Sequence, residues 1–350
     1  MILPRKVTQI PCRSLTQNPL RQGQIEIDIL QGRRNFKVAL NLVTKGDVER
    51  AKQVYCYIPG LGADARGFKP SLEAFQPEAG EAAVCASLLG AGSLIPKGLS
   101  LTPQVLVELY TQALLKLSPQ IAPQGGLILA GNSMGAQIAA GVAMLFYQET
   151  NKVAHCIFDN PMSPDIVGKT IGSFLGETQS PLHQLLCITQ RYTTPLFGHY
   201  ALWAGMRILF SSNWLFEKFV EALYTTPSRE DFDYFRDLYF KSPTPAGGMG
   251  AFEILAQMGA HIDGYRDYFS RFRDRVRDTT YILPGYALIV RSEKDRIFDP
   301  QNSRRIQSRI FRDSNGSSIP IVTQTGPHLE TTPRALEAIQ ELRTHLASFY

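Results

Sequence analysis

The chain has 350 residues, 44% of them apolar and 19% charged, which is roughly two domain lengths with ample material for a core. That composition excludes disorder for the bulk of the chain, and 28 Gly and 22 Pro without a fixed period exclude collagen-like and repeat architectures. The net charge of +5 arises from 36 basic and 31 acidic residues dispersed along the sequence, so no clustered basic face points to nucleic acid.

Residues 1–23 read as an N-terminal extension. Their start, MILPRKVTQIPCRSL, has no apolar stretch of secretory-signal length, and no run reaches the roughly 20 apolar residues of a membrane helix. Residues 24–30 (QIEIDIL) and 36–43 (FKVALNLV) alternate apolar and polar side chains around Gln31-Gly32, which predicts a β-hairpin. Residues 54–58 (VYCYI), 83–88 (AVCASL), 126–130 (GLILA) and 153–158 (VAHCIF) are short and continuously apolar, as parallel strands covered on both faces should be. Helices are expected over 102–117, with Pro103 just inside the start, and over 136–147. Alternation of this kind predicts an α/β layer fold.

The strand texture stops after Asn160. Residues 160–284 hold 21 of the chain's 35 aromatic residues, with helical periodicity over 201–210, 214–224, 230–240, 251–258 and 266–277. Strands then return at 286–290 and 320–323, with helices over 301–310 and 333–348. The expected organisation is a sheet-bearing core, residues 24–160 and 285–350, interrupted by a helical cap at 161–284. Of five cysteines, Cys56, Cys85 and Cys156 fall in apolar strand runs and read as buried free thiols, which suits a reducing, cytoplasmic setting.

The chemistry-bearing motif is Gly131-Asn132-Ser133-Met134-Gly135, between a predicted strand and an Ala-rich helix. A serine on such a turn sits at a helix N-terminus, where free N–H groups and the dipole favour developing negative charge. On this motif the chain resembles the α/β-hydrolase family, and the resemblance extends over both parts of the core. It implies a mostly parallel eight-stranded sheet with a large helical insertion. Pro59-Gly60-Leu61-Gly62 after the third strand is similar to the family's oxyanion loop, which implies backbone donors at Leu61 and Met134. Asp295, in the turn after strand 287–291, matches the family's acid, with Asp159 as competitor because some members place the acid on the earlier strand. His328, in the loop Gly326-Pro327-His328, matches the base. Ser133, Asp295 and His328 stand in the family's chain order.

The resemblance implies a serine hydrolase of a fairly apolar small-molecule ester or thioester, with no metal or organic cofactor. A carbon–carbon bond hydrolase of ring-fission products is the alternative on the same fold, although Ala136 and Leu329 depart from that group's pattern. Haloalkane dehalogenases and epoxide hydrolases use Asp where this chain has Ser133. From another class, a ligand-binding protein without catalysis would need no intact Ser-Asp-His set. Cap aromatics, Phe197, Trp203, Phe210, Trp214, Phe216 and Phe219, are the expected wall of the substrate pocket, with Trp203 and Trp214 foremost.

Overall fold

The computed structural model describes residues 19–123, 126–162, 204, 207, 211–224, 227–261, 264–272, 276–277, 280–295, 303–304, 306, 310–326, 328 and 342. The hairpin forms as expected: β1 (Arg21–Gln31) and β2 (Arg34–Gly46) pair antiparallel. Along β1, Ile25, Ile27 and Ile29 are buried while the residues between them face solvent, the period-2 pattern of a half-covered strand. β3 (Gln53–Ile58), β4 (Glu81–Ser87), β5 (Leu127–Asn132) and β6 (Ala154–Asp159) follow, and every residue of β5 and β6 is buried.

Among the described residues three helices belong to this half. A 3-10 turn (Ala65–Phe68) runs into α1 (Lys69–Ala74), a stretch the apolar pattern did not announce. α2 (Pro103–Leu117) starts behind Thr102, whose hydroxyl accepts from the Val105 amide, and α3 (Gly135–Thr150) ends at Asn151 in the left-handed conformation. Successive strand residues serve opposite faces. Val54, Cys56, Ile58, Leu127 and Leu129 pack with Leu106, Leu109, Ile138 and Val142 of α2 and α3. Tyr55, Tyr57, Ile128 and Ala130 pack with Phe68, Leu72 and Phe75 on the other side. Both faces are covered, so continuous apolar runs were the right signature.

After β6 the chain leaves the sheet. The inserted segment contains α4 (Asn213–Leu223), α5 (Arg229–Arg236), α6 (Ala251–Ala260) and α7 (Tyr265–Phe269). α5 opens with a capping box between Ser228 and Asp231 and runs into a π-helical turn, Asp237–Lys241. The helix expected over 266–277 is a correction. Among the described residues there, helix is confined to α7, and β7 (Val276–Arg277) pairs antiparallel with β8 (Thr280–Ile282), setting Val276 opposite Tyr281.

The chain returns as β9 (Ala287–Ser292), which lies parallel against β6; β10 (Phe311–Arg312) adds to β8, and β11 (Ile321–Gln324) to β9. The main sheet has eight strands in the order β1-β2-β4-β3-β5-β6-β9-β11, parallel from β4 onward. The helix expected over 201–210 and most of those over 301–310 and 333–348 lie outside the described residues, as do Phe197, Trp203 and Phe210. Among the described residues no helix is long and apolar enough to cross a membrane.

Candidate active site

The strand-to-helix turn after β5 shows why its sequence is Gly-x-Ser-x-Gly. Ser133 has φ +55°, a left-handed conformation that costs a residue with a Cβ about 1–2 kcal/mol. Hydrogen bonds hold it there: its amide donates to the Asp159 carbonyl (2.9 Å), and its carbonyl accepts from Met162 (3.1 Å) and Ala136 (3.2 Å). A Cβ on Gly131 would lie 2.3 Å from the Gly135 carbonyl oxygen, and one on Gly135 would lie 2.2 Å from that of Ile58. Both positions admit only glycine.

The loop after β3 closes against this turn. A Cβ on Gly60 would lie 2.9 Å from that of Ser133, so the loop backbone approaches the serine as nearly as a glycine allows. Met134 precedes the first residue of α3 and has no intrahelical acceptor for its amide. Neither its N–H nor that of Leu61 meets an acceptor among the described residues.

His328 and Asp295 are brought together from loops 33 residues apart. Nδ1 of His328 lies 2.9 Å from Oδ2 of Asp295, and both side chains are buried, at 3% and 6% exposure. The two loops are knitted by backbone bonds, Glu293 N–H to Gln324 O (3.0 Å) and Lys294 N–H to Gly326 O (3.3 Å), which prolong the β9–β11 pairing. Asp159, the competing acid, ends β6 beside Ser133 and accepts from Asn132 Nδ2 at 3.0 Å.

Two asparagines complete the arrangement, and sequence reasoning had not singled them out. Asn132 Nδ2 donates to the His328 carbonyl (3.3 Å), and Asn160 Nδ2 donates to the same oxygen (3.1 Å). Asn160 has φ +41° and accepts from the Ser292 amide (2.6 Å), while its own amide donates to Val290 (2.8 Å). One residue therefore ties the ends of β6 and β9 to the histidine loop. The available signal was its place in Asp159-Asn160-Pro161, where the chain leaves the sheet, a setting that favours a side chain able to bond backbone locally.

Burial pushes the His155 imidazole down to about 4, and its Nδ1 accepts from the Tyr286 amide at 3.0 Å. Burial also pushes the Cys56 thiol up to about 12 and raises Cys85 and Cys156, all three free and inaccessible. Trp214 stands 60% exposed on α4, whereas Phe216 is buried against Phe232 and Phe240. Among the described residues no group of three His, Cys, Asp or Glu could hold a metal ion.

A family model described as the alpha/beta hydrolase family matches residues 57–339, and the chain belongs to that family. Solved structures share the architecture at low identity. An esterase from Thermogutta terrifontis is 14% identical with a TM-score of 0.56, covering 93% of this chain and 98% of its own. An esterase from Exiguobacterium antarcticum is 13% identical with a TM-score of 0.55, at coverages of 89% and 96%. A haloalkane dehalogenase variant from Bradyrhizobium elkanii is 12% identical with a TM-score of 0.59, at coverages of 93% and 99%. These likenesses are of fold. No curated protein sequence matches the chain.

Proposed function

We propose that the protein is a serine hydrolase that cleaves a carboxylic ester or thioester of a fairly apolar acyl group through an acyl-enzyme on Ser133. The observation that carries this reading is the buried Asp295–His328 pair, whose loop is tethered to Asn132, the neighbour of Ser133. A serine hydroxyl is a weak nucleophile at its own pKa and needs a base. His328 takes the Ser133 proton as the hydroxyl attacks the acyl carbon, then returns it to the leaving alkoxide or thiolate. Asp295, at Nδ1, holds the imidazole in the tautomer that leaves Nε2 basic and stabilises the imidazolium without accepting the proton. The Leu61 and Met134 amides receive the oxyanion, and water releases the acid by the same steps in reverse order.

The inserted segment between β6 and β9 acts as a cap over the strand ends, where ligands of open α/β sheets bind, and its aromatics favour an apolar acyl group. Labelling with a fluorophosphonate probe tests the reading. Wild type should be labelled, and Ser133→Ala should not, while its ester turnover falls by at least about 10⁴-fold at an unchanged melting temperature. Near-wild-type turnover in that variant would overturn it.

A further inference from the structure

The inserted segment reaches the oxyanion loop with two hydroxyls. Tyr239, in the π turn, donates to the Gly62 carbonyl at 2.7 Å. Tyr234, on α5, accepts from the Asp64 amide at 3.1 Å and donates to Asp64 Oδ1 at 3.0 Å. That carboxylate is 1% exposed and also accepts from the Arg66 amide and Nε, both at 2.9 Å, while the Arg66 guanidinium sits 5.0 Å over the Tyr234 ring.

Gly62 is shaped for this contact. Its φ is +81°, and a Cβ there would lie 2.3 Å from the Tyr239 hydroxyl oxygen, so the hydroxyl occupies the place of the missing side chain. Tyr239 itself is fixed, 6% exposed, with its ring stacked on Phe235 (6.4 Å) and tilted against Phe252 (5.2 Å). In an unbroken α-helix, positions five apart are about 140° apart around the axis. The wide π turn allows Tyr234 and Tyr239 to converge on one loop.

We propose that Tyr239 and Tyr234 are positioning residues that hold the oxyanion loop in the shape its Leu61 amide needs. This deepens the hydrolase reading above and rests on it. The peptide groups on the far side of Leu61 are pinned at Gly62 O and Asp64 N–H, and Ala63 N–H closes the turn onto Gly60 O at 3.3 Å. The Leu61 donor remains without a partner among the described residues, in a loop whose Gly60 lies against Ser133. The oxyanion site is therefore complete only while the inserted segment is docked.

Tyr239→Phe removes the hydroxyl and keeps the ring. For a short p-nitrophenyl ester its kcat should fall about tenfold with little change in KM, and affinity for an alkylboronic acid should fall by the same factor. Hydrogen exchange should quicken in peptides covering residues 59–68 and stay unchanged over 127–137. Tyr234→Phe should show the same pattern more weakly and serves if Tyr239→Phe does not fold. Quickened exchange with unchanged kcat overturns the positioning role, and unchanged exchange in both variants overturns the fastening itself. Should wild type neither hydrolyse esters nor take the fluorophosphonate, the hydrolase reading fails, and the exchange contrast still decides whether the tyrosines hold the loop.

Discussion

On the α2–α3 face of β5 the core is aliphatic, with Leu127 and Leu129 packed among Ile138 and Val142, while the opposite face joins Ile128 and Ile157 to a few rings such as Tyr57 and Phe68. In the inserted segment it is built of rings: Phe219 lies edge-on to Phe235 at 5.5 Å, and Phe240 edge-on to Phe252 at 5.5 Å. The sheet half is regular, and each strand position in it has one face. The aromatic half packs short helices, where large rings bridge elements of irregular direction and bury much area per residue. The proposed chemistry divides along the same line. The sheet's strand ends carry Ser133, Asp295 and His328, and the inserted helices reach the loop after β3 through the hydroxyls of Tyr234 and Tyr239.

The widest separation between the halves should appear in turnover. Asp295→Asn should lower kcat about 10⁴-fold by favouring the wrong histidine tautomer, while melting stays close to wild type. Asp159→Asn should cost turnover far less, and stability by about 1–3 kcal/mol, because Asn132 Nδ2 loses a carboxylate acceptor. Both are measured on one ester. A crippled Asp159→Asn beside an active Asp295→Asn would move the acid to the earlier strand.

Core truncation asks whether the ring-built half is packed as tightly as the sheet. Phe158→Ala, on β6, and Phe216→Ala, on α4, remove side chains that are 1% and 2% exposed. Urea unfolding should show losses of about 3–5 kcal/mol for each. A cost below about 1 kcal/mol at Phe216 would mean that the ring cluster collapses around the gap, and the two halves would differ in rigidity as well as composition.

Acid should weaken the sheet through His155. Its folded pKa of about 4 lies below the usual 6.5 because burial disfavours the charged ring. Between those values the unfolded chain binds a proton that the folded one does not, so stability falls as pH drops from 6.5 toward 4. The total is about 3 kcal/mol, and above pH 6.5 the contribution is flat. His155→Gln should flatten urea midpoints measured at pH 7 and pH 4.5.

Trp214 carries the smallest expected effect on folding. At 60% exposure its truncation to Ala should change stability by no more than about 0.5 kcal/mol. Under the cap reading it should still shift the acyl chain-length profile. An unchanged profile would place this tryptophan outside the pocket.

The strands were legible because parallel strands covered on both faces leave short, wholly apolar runs, and β3, β5 and β6 follow theirs within a residue or two. The elbow was legible because its glycines answer to contacts within five residues or with the neighbouring strand β3, constraints that a short motif carries. His328 stood out by its place in a loop between the last strand and a helix, and Asp295 by its offset after β9. What stayed hidden depends on distant partners. Asn160 bonds residues 132 and 168 positions away, and Tyr239 reaches a carbonyl 177 positions away, separations that no local periodicity reports. The π turn was invisible for a related reason: residues 230–240 keep helical spacing, and the extra width answers to the loop beneath it. Val276 reads as helical beside its charged neighbours and becomes a strand residue only through Tyr281.

The neighbours β6 and β9 are made far apart in time. Residues 160–286 lie between them, and at about 5–20 residues per second a ribosome takes roughly 6–25 s to cross that stretch. Throughout it, β6 is the open border of a growing sheet, with unpaired backbone groups that invite pairing with another chain. The serine and its glycines already exist, while the histidine and its carboxylate do not. A nascent chain halted there holds a shaped but unpowered elbow beside an adhesive edge, and the arrival of β9 seals that edge and delivers Asp295 in the same event.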